Sequence, residues 1–266
     1  MKSLLKAGAL AALLFAVPAF ASPNYKATLT VNGYRGGSTL TDFPVLVRIS
    51  PERIAGFQYS QCEADGSDIS FANDKGQTLP HEIDTWDPEG ESLVWVKVPS
   101  FNGETSFDFR WNDPEPAASD AAQTWNANYV GVWHLGEEDG VCANSSQCGA
   151  KYDATPGGGL DENYRYADGA APVGGARQIA KSWNRTTTSY LEVPNYDAEN
   201  VGSVFTISTW VRATTQGNWP RLFARKPTDS EYGGWELVFD DWEWHHYYVR
   251  GANSASEVGN YIASPA

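Results

Sequence analysis

The runs Tyr190-Leu191-Glu192-Val193-Pro194 and Phe205-Thr206-Ile207-Ser208-Thr209-Trp210-Val211 decide how this chain is read. In both, side chains of opposite character alternate with period two, the repeat of an extended strand. Between them lie Asn195, Asp197, Asn200 and Gly202, all turn formers. The same alternation recurs upstream. Tyr25, Ala27, Leu29 and Val31 alternate with Lys26, Thr28, Thr30 and Asn32, and Phe43, Val45, Val47 and Ile49 repeat the pattern. Val94, Val96 and Val98 form one face of a further run against Leu93, Trp95 and Lys97, while Phe107, Phe109 and Trp111 alternate with Asp108 and Arg110. No segment sustains a helical period. The expected fold is all-β, built as two consecutive antiparallel, jelly-roll-like β-sandwiches.

Residues 1–21 read as an export leader and not as part of either sandwich. Lys2 and Lys6 give a basic start, Ala7 to Val17 is uncharged and apolar, and Ala19-Phe20-Ala21 fits small-x-small cleavage before Ser22. That apolar stretch is short for a bilayer span, and nothing later approaches ~18 uninterrupted apolar residues. The expected destination is therefore the periplasm, cell surface or medium. About 245 residues then remain, enough for one large or two ordinary domains. A break is expected over 113–125, where Asp113-Pro114-Glu115-Pro116-Ala117-Ala118-Ser119-Asp120 lacks an apolar period and carries two prolines. It separates a first sandwich at 22–112 from a second unit at 126–266.

In the second unit, strand-like runs are expected at 129–135, 190–194, 205–212, 219–225, 234–240 and 242–250. The chain ends at Ser264-Pro265-Ala266 with no evident finishing strand. So few strands would leave sheet edges open, and the second sandwich is accordingly read as truncated at its C-terminus. Of the three cysteines, Cys142 and Cys148 flank Ala143-Asn144-Ser145-Ser146-Gln147, and an oxidising compartment would let them close a small disulfide loop. Cys62 is left over, read as a small buried hydrophobe, with a thiol linked to a partner as the alternative.

Four blocks of the first unit carry a resemblance: Phe43-Pro44-Val45-Leu46-Val47, Gly66-Ser67-Asp68-Ile69-Ser70-Phe71, Leu79-Pro80-His81-Glu82-Ile83-Asp84-Thr85-Trp86 and Leu93-Val94-Trp95-Val96-Lys97-Val98-Pro99. Over about residues 25–112 the chain resembles an uncharacterised domain of exported bacterial proteins, of the kind catalogued with the MotA/TolQ/ExbB proton-channel group. A proton channel needs membrane-spanning helices, which this stretch lacks, so channel activity is not implied. Over about 126–266 the chain resembles the laminin-G-like, concanavalin A-like lectin and glucanase family. The signs are Val132-Trp133-His134-Leu135, Asp153-Ala154-Thr155, Leu237-Val238-Phe239 and the two runs quoted first. This resemblance implies a module that binds glycans or protein partners more often than it catalyses. It also implies a possible Ca²⁺, held by loop oxygens such as those of Glu137, Glu138, Asp139 and Asp153; no fixed spacing singles out ligands among them.

For glycan binding, the candidate residues are Trp210, Trp242, Trp244, His246 and Tyr248. The last four would share one face of a strand, and flat rings beside polar groups suit the C–H faces and hydroxyls of neutral sugars. The same rings could equally fill a sandwich core. The enzymatic alternative rests on Glu82-Ile83-Asp84-Thr85-Trp86-Asp87, close to the Glu-x-Asp-x-x-Glu of retaining β-glucanases, with Glu82 and Asp84 on one strand face. Against it, Asp87 stands at the third carboxylate position, and the run falls in the first unit. His81, His134, His245 and His246 form no HExxH, and neither a nucleophile elbow nor a phosphate loop is present. A formal charge of −14, made more negative by loss of the leader's lysines, disfavours nucleic acid and anionic lipid as partners. The expected partner is a glycan or a cell-envelope protein. A structural segment of a large surface or transport-associated assembly is the further alternative.

Overall fold

The computed structural model describes residues 25–137, 140–157, 173–177, 189–193, 204–211, 221–225, 234–239, 244–250 and 257–263. The leader expected at 1–21 lies outside them. Among the described residues strands dominate, all sheet pairings are antiparallel, and the one α-helical segment, α1 (Ala121–Thr124), is a single turn. The chain divides into two compact units, Met1–Asp120 and Ala121–Ala266.

The first unit holds β1 (Tyr25–Thr30), β2 (Leu40–Ile49), β3 (Ser70–Ala72), β4 (His81–Thr85), β5 (Ser92–Phe101) and β6 (Ser106–Trp111). They form two three-stranded sheets, β1-β6-β3 and β2-β5-β4. The period-two pattern sets which residues face inward. Val94, Val96 and Val98 of β5 and Val47 and Ile49 of β2 share one buried cluster with Phe71 of β3 and Phe107, Phe109 and Trp111 of β6. Two sheets over one core make this unit a β-sandwich. Phe57 closes the core from the 50–60 loop, edge-on to Trp111 at 5.5 Å between ring centroids. The outward residues of β6 pair instead with β1, where Asp108 accepts from Thr28 Oγ1 at 2.8 Å and from Lys26 Nζ at 3.3 Å. Pro44, which has no N–H to donate, lies on an edge strand, where the loss costs no ladder bond.

The Pro-rich segment after β6 is irregular, as its composition requires, yet it is tied down at both ends. The Asp113 N–H donates to the Asp68 carbonyl at 3.0 Å, and Ser70 Oγ donates to Asp113 Oδ2 at 2.5 Å. Farther on, the Ile83 N–H donates to Ser119 Oγ at 3.0 Å and the Asp120 N–H donates to the His81 carbonyl at 2.8 Å. Residues 113–120 therefore form a strap along β4, an edge strand of its sheet, and belong to the first unit.

In the second unit β7 (Thr155–Gly157) pairs with β8 (Tyr190–Glu192), and β9 (Arg221–Arg225), β10 (Gly234–Phe239), β11 (Trp244–Arg250) and β12 (Glu257–Ala263) form a sheet in the order β12-β11-β10-β9. Two expected strands are absent. Residues 129–135 are irregular, because side chains take up their backbone groups: the Val132 N–H donates to Asn144 Oδ1 at 2.9 Å, and Ser146 Oγ donates to the Val130 carbonyl at 3.0 Å. Residues 204–211 also carry no strand, and Val204, Trp210 and Val211 are exposed. Conversely, β12 supplies a last strand at 257–263 that the sequence pattern did not reveal.

Candidate functional site

The residues expected to bind a ligand do not come together as one described surface. Trp210 lies in the irregular stretch 204–211 with 73 % of its surface exposed. Trp242 lies outside the described residues. Trp244, His246 and Tyr248 occupy alternate positions of β11, as the period-two reading requires; His246 is paired with Val238 on one side and Tyr261 on the other.

The disulfide expected between Cys142 and Cys148 is not formed; all three cysteines are free. Cys142 is buried and fixed by a two-way backbone bridge to Ala154, whereas Cys148 is exposed at the start of a 3-10 turn, Gly149–Tyr152. The intervening loop is organised by Asn144, whose Oδ1 accepts from the Ser146 N–H and whose Nδ2 donates to Ser146 Oγ and to the Gly149 carbonyl. Burial pushes the Cys142 thiol up to about 11, with Glu137 adding to the shift. Cys62 is half-buried, and burial followed by the charge of Asp68 pushes its thiol up to about 12.

The acids weighed as Ca²⁺ ligands are otherwise engaged where they are described. Glu137 Oε1 accepts from the Ala143 N–H at 2.7 Å, and Asp153 Oδ1 accepts from the Asn144 N–H at 2.9 Å. Glu138 and Asp139 lie outside the described residues. Among the described residues no group of three or more His, Cys, Asp or Glu is arranged to hold a metal ion.

Glu82 and Asp84 both border Trp95. Glu82 stands opposite it in the ladder and is only 8 % exposed. Asp84 falls where the β4–β5 register shifts, between Ile83 and Thr85. Its Oδ2 accepts from the Trp95 indole N–H at 3.0 Å and its Oδ1 from the Thr85 hydroxyl at 3.2 Å. Both carboxylate oxygens thus already hold hydrogen bonds that fix a side chain in the sheet.

The first unit brings together another set of groups that the sequence did not assemble. A cleft of about 350 Å³ is bounded by the turn at 65–67, by His81 and Ile83 of β4, and by Pro116, Ala118 and Ser119 of the strap. Gly66 makes the turn possible: its φ is +71°, and a Cβ there would stand 2.6 Å from the Trp86 ring. The Ser67 N–H donates to Asp65 Oδ1 at 3.0 Å, and hydrogen bonds from the Ser67 side chain and backbone hold the Asp65 carboxyl below its usual range. His81 is 1 % exposed, its ring 5.4 Å from that of Phe71. Its Nδ1 is buried without a hydrogen-bond partner in the protein. Burial pushes the imidazole down to about 4, and a hydrogen bond to the Leu79 backbone acts in the opposite sense. In the sequence this histidine stands within the Leu79–Trp86 block of the first resemblance, which assigns it no role. The three walls meet only through tertiary folding.

No helix among the described residues is long and apolar enough to cross a membrane. Neither curated proteins nor solved structures give a match to the chain. A family model described as "Domain of unknown function (DUF2341)" matches residues 65–133, a span that contains the turn, the β4 floor and the strap of the cleft.

Proposed function

We propose that this chain is an exported, non-enzymatic recognition module that binds glycans or cell-envelope proteins. The observation that carries the reading is Trp210, a large indole 73 % exposed beside the hydroxyl side chains of Ser208 and Thr209. An exposed flat ring next to hydroxyls offers stacking area and hydrogen bonds together, the combination that neutral sugars and aromatic-rich protein interfaces use. The leader at 1–21 and the resemblance of 126–266 to laminin-G-like and concanavalin A-like modules point the same way. Resemblance of the first unit to an exported domain agrees with this location.

The hydrolytic alternative draws less support. Asp84 is committed to Trp95 and Thr85, and Glu82 is nearly closed to solvent. A glycan array and a pull-down from envelope extract, both with the whole chain, test the proposal. Saturable binding that Trp210→Ala weakens at least about tenfold supports it, a loss of about 1.4 kcal/mol. Absence of saturable binding to any glycan or envelope protein rejects it.

A further inference from the structure

We propose that residues 113–120 act as an acid-released strap: protonation of the buried His81 imidazole frees the strap from β4 while both sheets of the first unit stay folded. The device owes nothing to Trp210, so it stands or falls apart from the recognition reading.

The strap links the edges of the two sheets. Its start is bound at β3, through the Asp113 N–H on the Asp68 carbonyl and Ser70 Oγ on Asp113 Oδ2. Its end is bound at β4, through the Ile83 N–H on Ser119 Oγ and the Asp120 N–H on the His81 carbonyl. At β4 a hydroxyl and a backbone N–H thus stand where a neighbouring strand would supply a regular ladder. β4 itself is held by its ladder with β5 and by packing on the common core. Local opening follows the weaker set of contacts, which is the strap.

His81 sits where the strap meets β4. Its carbonyl receives the Asp120 N–H, and its ring packs on Phe71 of β3 at 5.4 Å. It therefore spans the same two strands that the strap links. Its ladder partner on β5 is Val96, and it shares a cleft wall with Pro116, Ala118 and Ser119 of the strap. The residue is 1 % exposed, and Nδ1 is buried without a protein partner. Four carboxylates lie on the elements around it. Asp65, in the turn, is exposed and accepts from the Ser67 N–H; Glu82, next along β4, alternates to the other face of the strand. In the strap, Asp113 accepts from Ser70, and Asp120 is half-buried. Burial governs the imidazole and lowers it to about 4; the hydrogen bond to the Leu79 backbone opposes this, and none of the four carboxylates does.

A proton added to the closed chain therefore creates a charge with neither water nor counter-ion, which a protein interior disfavours strongly. Peeling back the strap admits water to that edge of the sandwich and hydrates the imidazolium without dismantling a sheet. The closed state takes up its proton near pH 4 and a hydrated imidazole near pH 6.5. The open state thus binds more protons between these values, and opening is favoured as the pH falls through this window. Once the strap is off, the Ile83 N–H and the His81 carbonyl lie bare on an edge strand, the arrangement that takes up an added strand.

Amide hydrogen exchange by NMR on the whole chain, at pH 7 and pH 5 and in low concentrations of urea, tests the inference. Corrected for intrinsic rates, protection at the Ile83 and Asp120 amides should fall about twentyfold from pH 7 to pH 5. These two amides should also show little urea dependence, because opening the strap exposes little surface, whereas Val96 and Phe109 of the central strands exchange with the full urea dependence of global unfolding. His81→Phe keeps a ring on Phe71 and should make protection at Asp120 the same at both pH values. Ser119→Ala loosens the strap but keeps the imidazole, so Asp120 should be less protected at both pH values with the same twentyfold fall. Asp113→Asn, at the other end, should retain the fall. The proposal is overturned if Ile83 and Asp120 share the urea dependence of Val96 and Phe109, or if their protection is flat with pH. It is equally overturned if folded His81→Phe keeps the fall or if Asp113→Asn abolishes it.

Discussion

His81 couples stability to pH as well as lining the cleft. Its imidazole titrates near 4 in the folded chain and near 6.5 when unfolded. Between these values the unfolded state binds the extra proton, so stability is complete above about pH 6.5 and falls as the pH drops toward 4. A shift of this size corresponds to about 3 kcal/mol. Denaturant melts at pH 7 and pH 4 should show wild type losing about that much more than His81→Phe, which has nothing to protonate there. The cysteines are sorted by their surroundings in a similar way. Cys62 and Cys142 are held as thiols by burial, with values of about 12 and about 11, whereas Cys148 is exposed. Reactivity requires both thiolate and access. Iodoacetamide at pH 8 should therefore modify one thiol in the native protein and all three in guanidinium, counted by mass spectrometry. A native protein with no reactive thiol would mean that Cys148 is blocked. Nothing in the spacing of 142 and 148 could show that Ala154 holds one of them inside; that information is tertiary.

Strands were legible where a regular alternation found a partner. In β2, β5 and β6 the apolar parity read from the sequence is the parity that packs the core, because a shift of one residue would turn every inward side chain outward. The same logic misplaced 129–135 and 205–211. Alternation reports that a segment suits a pleated surface, not that a neighbouring strand is available. At 129–135 Asn144 and Ser146 capture the backbone groups that a ladder would have used. At β12 the error runs the other way. Glu257-Val258-Gly259-Asn260-Tyr261-Ile262-Ala263 has weak alternation, and seven paired positions along β11 recruit it. The turn before β3 shows how far one residue controls a local element. Gly66 sits at φ +71° beneath Trp86, which packs edge-on against Tyr59 at 5.3 Å. Gly66→Ala combines a left-handed backbone with a ring contact at 2.6 Å. It should cost about 1–3 kcal/mol in urea unfolding. A change below a few tenths of a kcal/mol would show that the Trp86 ring yields freely.

At the scale of the whole molecule, the composition of 113–125 announced irregular chain but not whose chain it was. A proline-rich acidic segment reads as a spacer when its side chains meet only water. Here Asp113 and Ser119 are spent on the first unit: the carboxylate accepts from Ser70 inside it, and the hydroxyl accepts the edge N–H of Ile83. The Ser119 hydroxyl and the Asp120 N–H, the latter on the His81 carbonyl, cover the open side of β4. The first compact unit accordingly runs to Asp120. A polypeptide of residues 22–120 should fold on its own core and unfold in a single transition. One of residues 22–112 keeps every strand of both sheets but leaves Ser70, Ile83 and the β4 edge without these partners. With each lost hydrogen bond costing about 0.5–1.5 kcal/mol, the shorter chain should be about 2–4 kcal/mol less stable. Its exposed edge should also make it more prone to self-association, readable by sedimentation. Equal urea midpoints for the two lengths would show that the strap is a passenger on the sandwich, and the cleft would then lack the fixed wall that its third side requires.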